Sequence, residues 1–155
     1  MSELQSWQKK AEFRLQMVLK SAAEYPALKL AKVRLHVPIG IVSAPQMSQL
    51  NRKFRGKKGP TDVLSFEAPP AFRKLGLLGE IVVCLPVLEK QARALKHPAQ
   101  RELDVLLIHG VLHLLGFDHE TSKASAARMA RWELKLLKKL DPKASTVKGL
   151  IGRQP

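Results

Sequence analysis

The most constraining stretch of the sequence is an apolar segment, residues 102–115, that carries two histidines. Its length and apolar character are typical of a buried helix. His109 and His113 are four residues apart, so a helix places both imidazoles on one face, one turn apart. Gly116 can adopt the left-handed conformation that ends a helix, and the chain can then turn and bring His119 towards the other two. The stretch therefore predicts a buried helix that ends at a cluster of imidazoles.

These histidines favour a metal site. A lone histidine on an apolar helix is more often a hydrogen-bonded core residue, but three of the chain's five histidines lie between positions 109 and 119. Three imidazole ligands leave a coordination position open for water, as in catalytic zinc sites, whereas structural zinc is almost always four-coordinate. We therefore expect one Zn²⁺ per chain on His109, His113 and His119, although the same ligands suit nickel or copper.

The other two histidines are expected to play no part in this site. His36 alternates with apolar neighbours in a pattern of period two, which predicts a half-exposed strand with His36 facing solvent. His97 precedes Pro98, which disfavours helical geometry. We expect His97 to be a linker residue, either at the surface or capping a helix.

The net charge indicates a polyanionic partner. The chain has 27 basic and 13 acidic residues, a net charge of +14 and a pI near 10.3, and such a field attracts nucleic acid. Several basic residues are concentrated just before a turn at Gly59 and Pro60, and this turn would fix the direction in which their side chains point. The candidate RNA-binding residues there are Arg52, Lys53, Arg55, Lys57 and Lys58. Some of them are expected to be ordinary solvated surface.

The residue after the first histidine argues against a protease. In zincin metalloproteases this residue is a glutamate that takes the proton from the zinc-bound water, but here it is Gly110. Asp118 is the nearest carboxylate to His119 in sequence. It could orient a ligand imidazole, act as a base, or stabilise the turn before the last helix, and the spacing leaves these alternatives open.

The order of apolar patterns predicts an α+β fold, a small mixed β-sheet packed with helices. The expected strands are residues 29–37, 63–66 and 77–85, and the continuous apolar run of the last one predicts a central position. Residues 71–76 are expected to form a loop. Residues 1–142 would form a single catalytic domain, followed by a basic, flexible tail, 143–155, that adds weak, salt-sensitive RNA affinity.

Several classes of protein are disfavoured by composition. No run of about 18 apolar residues is present, so no membrane span is expected. The N-terminus does not resemble a secretory signal, and a single cysteine excludes a disulfide framework. We expect a cytoplasmic protein; the sequence does not indicate its oligomeric state.

Two motifs resemble those of the YbeY family of bacterial endoribonucleases. They are His-Gly-x-Leu-His-Leu-x-Gly-Phe-Asp-His at positions 109–119 and Pro-Thr-Asp-Val-Leu-Ser-Phe at positions 60–66. Phe117 stands where the family usually has tyrosine.

The resemblance covers nearly the whole chain and implies a zincin-like fold with zinc on the three histidines. It implies a single-strand-specific endoribonuclease that acts on ribosomal RNA of the small subunit, in 16S rRNA 3′-end maturation and ribosome quality control. The family's functional arginine falls on Arg55, where it would contact substrate phosphate. The alternatives are another metallohydrolase, and a non-catalytic ribosome- or RNA-binding protein with a structural metal.

Overall fold

The computed structural model describes residues 1–30 and 34–144. The helices are α1 (Glu3–Ala23), α2 (Ala44–Arg55), α3 (Pro70–Arg73), α4 (Leu85–Ala94), α5 (Ala99–Leu114) and α6 (Lys123–Leu140). The strands are β1 (Ile39–Val42), β2 (Val63–Glu67) and β3 (Gly79–Cys84). A short 3₁₀ turn, Pro26–Leu28, follows α1.

Local sequence signals fix where the helices begin. Ser2 and Ser43 cap α1 and α2, and in each case the glutamine three residues later bonds back to the cap. These reciprocal bonds satisfy backbone N–H groups that a helix start otherwise leaves unpaired. α4 and α5 begin at prolines instead, with Pro86 in the first turn of α4 and Pro98 immediately before α5.

The three strands form a mixed sheet in the order β1-β3-β2. β1 runs parallel to β3, and β2 runs antiparallel to it. The apolar run of residues 77–85 therefore does form the central strand, as its pattern predicted. The α+β class and the small mixed sheet with packed helices are confirmed.

α5 lies at the centre of the molecule. All its residues from Glu102 to Leu112 are buried, and it contacts α1, α4, α6 and β2. Gly110 permits its close approach to the sheet, because a Cβ atom there would lie 2.9 Å from Ile81 Cδ1 and 3.1 Å from Ser65 Oγ. The histidines of α5 are consequently carried by the most deeply buried helix of the described chain.

The strand predicted at residues 29–37 is wrong at its described positions, 29–30 and 34–37; residues 31–33 lie outside the described part of the chain. Lys29 is left-handed, with φ of 52°, and between Arg34 and Val37 only His36 makes a β-bridge, to Leu77. The regular strand, β1, begins after Pro38, whose carbonyl accepts a bond from the Ile81 amide. Residues 34–37 thus form an irregular segment beside the sheet, and His36 is exposed as expected.

Two further expectations need correction. Residues 71–76 were expected to form a loop, but Pro70 begins the short helix α3. His97 was expected at the surface, but its side chain is only 8% exposed and its Nε2 lies 2.6 Å from Glu102 Oε2. The buried carboxylate of α5 holds the imidazole in the interior.

The C-terminal tail falls almost entirely outside the described residues. Lys143 and Ala144 are described, and Ala144 packs into the core at 2% exposure. Residues 145–155 lie beyond the described part. None of the helices in the described ranges has the length and apolarity needed to cross a membrane.

Candidate metal centre

The three histidines of the sequence motif converge in the structure. His109 and His113 lie on one face of α5, with ring centroids 4.5 Å apart. α5 ends at Leu114, and Gly116, with φ of 95°, turns the chain. The His119 ring then lies 5.4 Å from that of His109 and 5.5 Å from that of His113. One ring nitrogen from each lies within 4.8 Å of the others, so the cluster could hold a metal ion.

The donor atoms of this cluster suit a cation. His109 Nε2 and His113 Nε2 lie 3.0 Å apart. Both ring nitrogens of His119 are buried and have no hydrogen-bond partner within residues 1–30 and 34–144. A buried polar group without a partner costs about 1–3 kcal/mol, a cost that a bound cation removes. The orphaned imidazole therefore fits a metal ligand better than a core residue.

Glu133 of α6 fixes the orientation of His109. Its Oε1 lies 2.8 Å from His109 Nδ1, and the two side chains are 4% and 5% exposed. Because an ionised carboxylate only accepts hydrogen bonds, Nδ1 carries the proton and its N–H donates a hydrogen bond to Glu133 Oε1, and the Nε2 lone pair points into the cluster. We did not predict this residue from the sequence. The available signal was a glutamate within the buried stripe of α6, one turn after Met129.

Burial keeps His113 in the neutral form that a metal ligand requires. The pKa of His113 is lowered to about 4, chiefly by desolvation and further by the neighbouring His109, His119 and Arg55, while Asp118 opposes the shift. The imidazole is therefore unprotonated at neutral pH, and protons do not compete with a cation for it.

The cluster opens into a groove of about 510 Å³ whose lining includes Arg55, Phe66, His109 and His113. Arg55 is the last residue of α2 and is half-buried. The helix ends there because Gly56 is left-handed, with φ of 64°, and the loop that follows is held by a 2.9 Å bond from Asn51 Nδ2 to the Gly59 carbonyl. Arg55 is thereby directed into the groove.

The other basic candidates lie elsewhere. The groove lining does not include them, and all are exposed: Arg52, Lys53, Lys57 and Lys58. Their role in RNA binding stays a prediction.

The family assignment follows from comparison with known proteins. The model of the family described as Endoribonuclease YbeY matches residues 2–141. This chain belongs to the YbeY family. Endoribonuclease YbeY of Bdellovibrio bacteriovorus is 39% identical over 134 residues, which cover 83% of this chain and 86% of the relative. Endoribonuclease YbeY of Halalkalibacterium halodurans is 38% identical over 134 residues, which cover 80% and 83%.

A solved structure supports the fold of this YbeY-family chain. The solution structure of TM1509 from Thermotoga maritima superposes with a TM-score of 0.58 at 28% identity, and the match covers 90% of this chain and 85% of the other. The resemblance based on the two motifs is therefore confirmed.

Asp118 of this YbeY-family chain stabilises the turn that carries His119. Its Oδ1 accepts a 2.8 Å bond from the Glu120 amide, and the side chain also lines the groove. The turn-stabilising role considered for Asp118 is thus present in the structure. Its roles as a base or as a partner of a ligand imidazole stay predictions.

Proposed function

We propose that this chain is a zinc-dependent, single-strand-specific endoribonuclease that acts in 16S rRNA 3′-end maturation and ribosome quality control. One observation carries the proposal: a three-histidine cluster with an orphaned imidazole opens into a groove lined by Arg55. Membership of the YbeY family supports the endoribonuclease activity. The zinc ion, the ribosomal substrate and a cytoplasmic location are our proposals.

The histidines would hold the ion. Zinc suits three neutral imidazole nitrogens, with a position left for water or substrate. When bound, it supplies Lewis-acid charge for a phosphoryl oxygen and the activation of a water molecule. Glu133 keeps the His109 proton on Nδ1 and directs Nε2 to the ion.

Arg55 would bind the phosphate. A guanidinium donates two parallel hydrogen bonds to phosphate oxygens, and it stabilises the negative charge that grows on them in the transition state. Arg55, His109 and His113 line the same groove, which supports a role for this charge beside the metal cluster. Arg55 therefore positions the scissile phosphate.

The proton acceptor differs from that of a protease. Gly110 supplies no base, and a Cβ atom there would crowd Ile81 Cδ1 at 2.9 Å and Ser65 Oγ at 3.1 Å. We assign proton acceptance to Asp118 Oδ2, because Oδ1 is engaged by the Glu120 amide and the residue lines the groove.

Two alternatives have less support. A peptidase of the familiar zincin kind would need a carboxylate at position 110. A purely structural metal would need a fourth protein ligand, and among residues 1–30 and 34–144 the cluster comprises only three.

A substrate comparison tests the proposal. Zinc-loaded protein is incubated with a single-stranded RNA, with the same RNA as a duplex, and with an unstructured peptide, each with and without a chelator. We expect cleavage of the single strand alone, and only without chelator. Peptide cleavage without RNA cleavage, or RNA cleavage that survives complete zinc removal, contradicts the proposal.

A further inference from the structure

A second cavity adjoins the metal groove across Phe117. Its volume is about 650 Å³, and Phe117 lines both spaces. The second cavity is also lined by Lys29, Arg73, Lys74, Arg128 and Trp132. We call it the Trp132 cavity.

The two spaces differ in charge. Within residues 1–30 and 34–144, the metal groove is lined by a single cation, Arg55, and by three carboxylates, those of Glu67, Asp118 and Glu120. A divalent ion would only balance these charges. Among the described residues, the lining of the Trp132 cavity has four cations and no carboxylate. The positive potential that attracts a phosphate backbone is therefore stronger beside the groove than in it.

Three of these four cations are available to a ligand. Arg73 is engaged, because its guanidinium donates to the carbonyls of Leu114 at 2.7 Å and Leu78 at 3.3 Å. Lys29, Lys74 and Arg128 are exposed, and within the described ranges none forms an ion pair.

The cavity also offers surfaces for bases. Trp132 is half-buried, held by an edge-to-face contact with Tyr25 at a centroid distance of 5.2 Å. The Arg128 guanidinium lies 4.9 Å from the centre of the Phe117 ring. Bases of single-stranded RNA stack on aromatic rings and on guanidinium planes. Cations beside aromatic rings, in a cavity next to the metal groove, suit the binding of an unpaired nucleic-acid strand.

We propose that the Trp132 cavity binds nucleotides of the RNA strand that flank the scissile phosphate. Lys74 and Arg128 would contact the backbone, and Trp132 would stack on a base. This inference rests on the proposed function, since it takes single-stranded RNA as the substrate.

A matched pair of double variants tests the charges. Lys74→Gln with Arg128→Gln removes two cations from the cavity, whereas Lys9→Gln with Lys90→Gln removes two exposed cations that line neither space. Binding of a nuclease-resistant 2′-O-methyl phosphorothioate single strand to zinc-loaded protein is measured across salt concentrations. Loss of two phosphate contacts weakens binding roughly tenfold and reduces the slope of log K against log salt by about 1.4. The control should stay within about twofold of the wild type.

Trp132 fluorescence tests the stacking. In a Trp7→Phe background Trp132 is the sole tryptophan, and the same oligonucleotide should quench its emission with the affinity found by titration. Equal weakening of both double variants, or binding without quenching, overturns the inference. If the oligonucleotide quenches Trp132 and only the Lys74 and Arg128 variant binds it more weakly, but the protein cleaves no RNA, the proposed function is refuted and the binding role of the cavity is retained. If the protein cleaves RNA but the Lys74 and Arg128 variant binds the oligonucleotide as tightly as the wild type, only the binding role of the cavity is refuted.

Discussion

Replacing Glu133 by glutamine should weaken metal binding without unfolding the protein. The amide keeps the size of the side chain and an oxygen for His109 Nδ1, but it removes the negative charge. At 2.8 Å, with both side chains about 5% exposed or less, solvent does not screen this contact. Loss of such a carboxylate partner typically costs 10- to 100-fold in metal affinity, or about 1.4–2.7 kcal/mol.

The measurement is a competition titration of zinc against a chromogenic chelator. Glu120→Gln is the matched control, because its side chain is 51% exposed and lies 3.9 Å from His119 Nε2, and exposed ion pairs contribute little. We expect the Glu120 variant to bind zinc within about threefold of the wild type. A folded Glu133→Gln protein with wild-type zinc affinity would refute the assignment of Glu133 as the partner that orients His109.

Three further predictions address Arg55, the sheet and the metal-free site. Arg55→Gln should reduce kcat/KM for RNA cleavage roughly hundredfold with zinc content unchanged, and unaltered cleavage would remove Arg55 from the mechanism. Gly79→Ala should lower the free energy of unfolding, measured in urea, by about 2–4 kcal/mol, because φ is 150° and the new Cβ would lie 2.2 Å from the Phe66 carbonyl oxygen. Gly40→Ala is the control, since a Cβ there would meet nothing within 4 Å. Equal losses of stability in the two variants would contradict this explanation. In metal-free protein, the pKa of His113 lies near 4 in the folded state, compared with a usual 6.5. Between pH 6.5 and pH 4 the unfolded state therefore binds more protons than the folded state, and the stability of the protein falls as the pH decreases through this range. The melting temperature of His113→Gln should fall less over this range, and identical pH profiles would show that burial does not shift the pKa of His113.

Structural features could be predicted from the sequence where they depend on interactions between residues close together in the chain. The spacing of His109 and His113, the helix stop at Gly116 and the capping pairs at Ser2 and Ser43 each act within one or two helical turns. Helix geometry alone therefore placed the imidazoles on one face. The apolar run before Leu85 likewise identified the central strand.

Contacts between segments distant in the chain could not be predicted from the sequence. Glu133 lies 24 positions from His109, and only the packing of α6 on α5 brings them together. His97 is buried because Glu102 lies beneath it, a neighbour that the Pro98 signal does not reveal. The segment before Pro38 has strand-like alternation, but its one described bridge, at His36, depends on the position of Leu77.

RNA cleavage by this protein should depend on the metal held by the three histidines. The most direct test measures zinc content and single-stranded RNA cleavage for the wild type, for His113→Ala, and for His36→Ala, whose side chain is exposed and outside the cluster. We expect one zinc per chain and active cleavage for the wild type and His36→Ala, and loss of both for His113→Ala. A folded, zinc-free His113→Ala protein that cleaves RNA at the wild-type rate would contradict it.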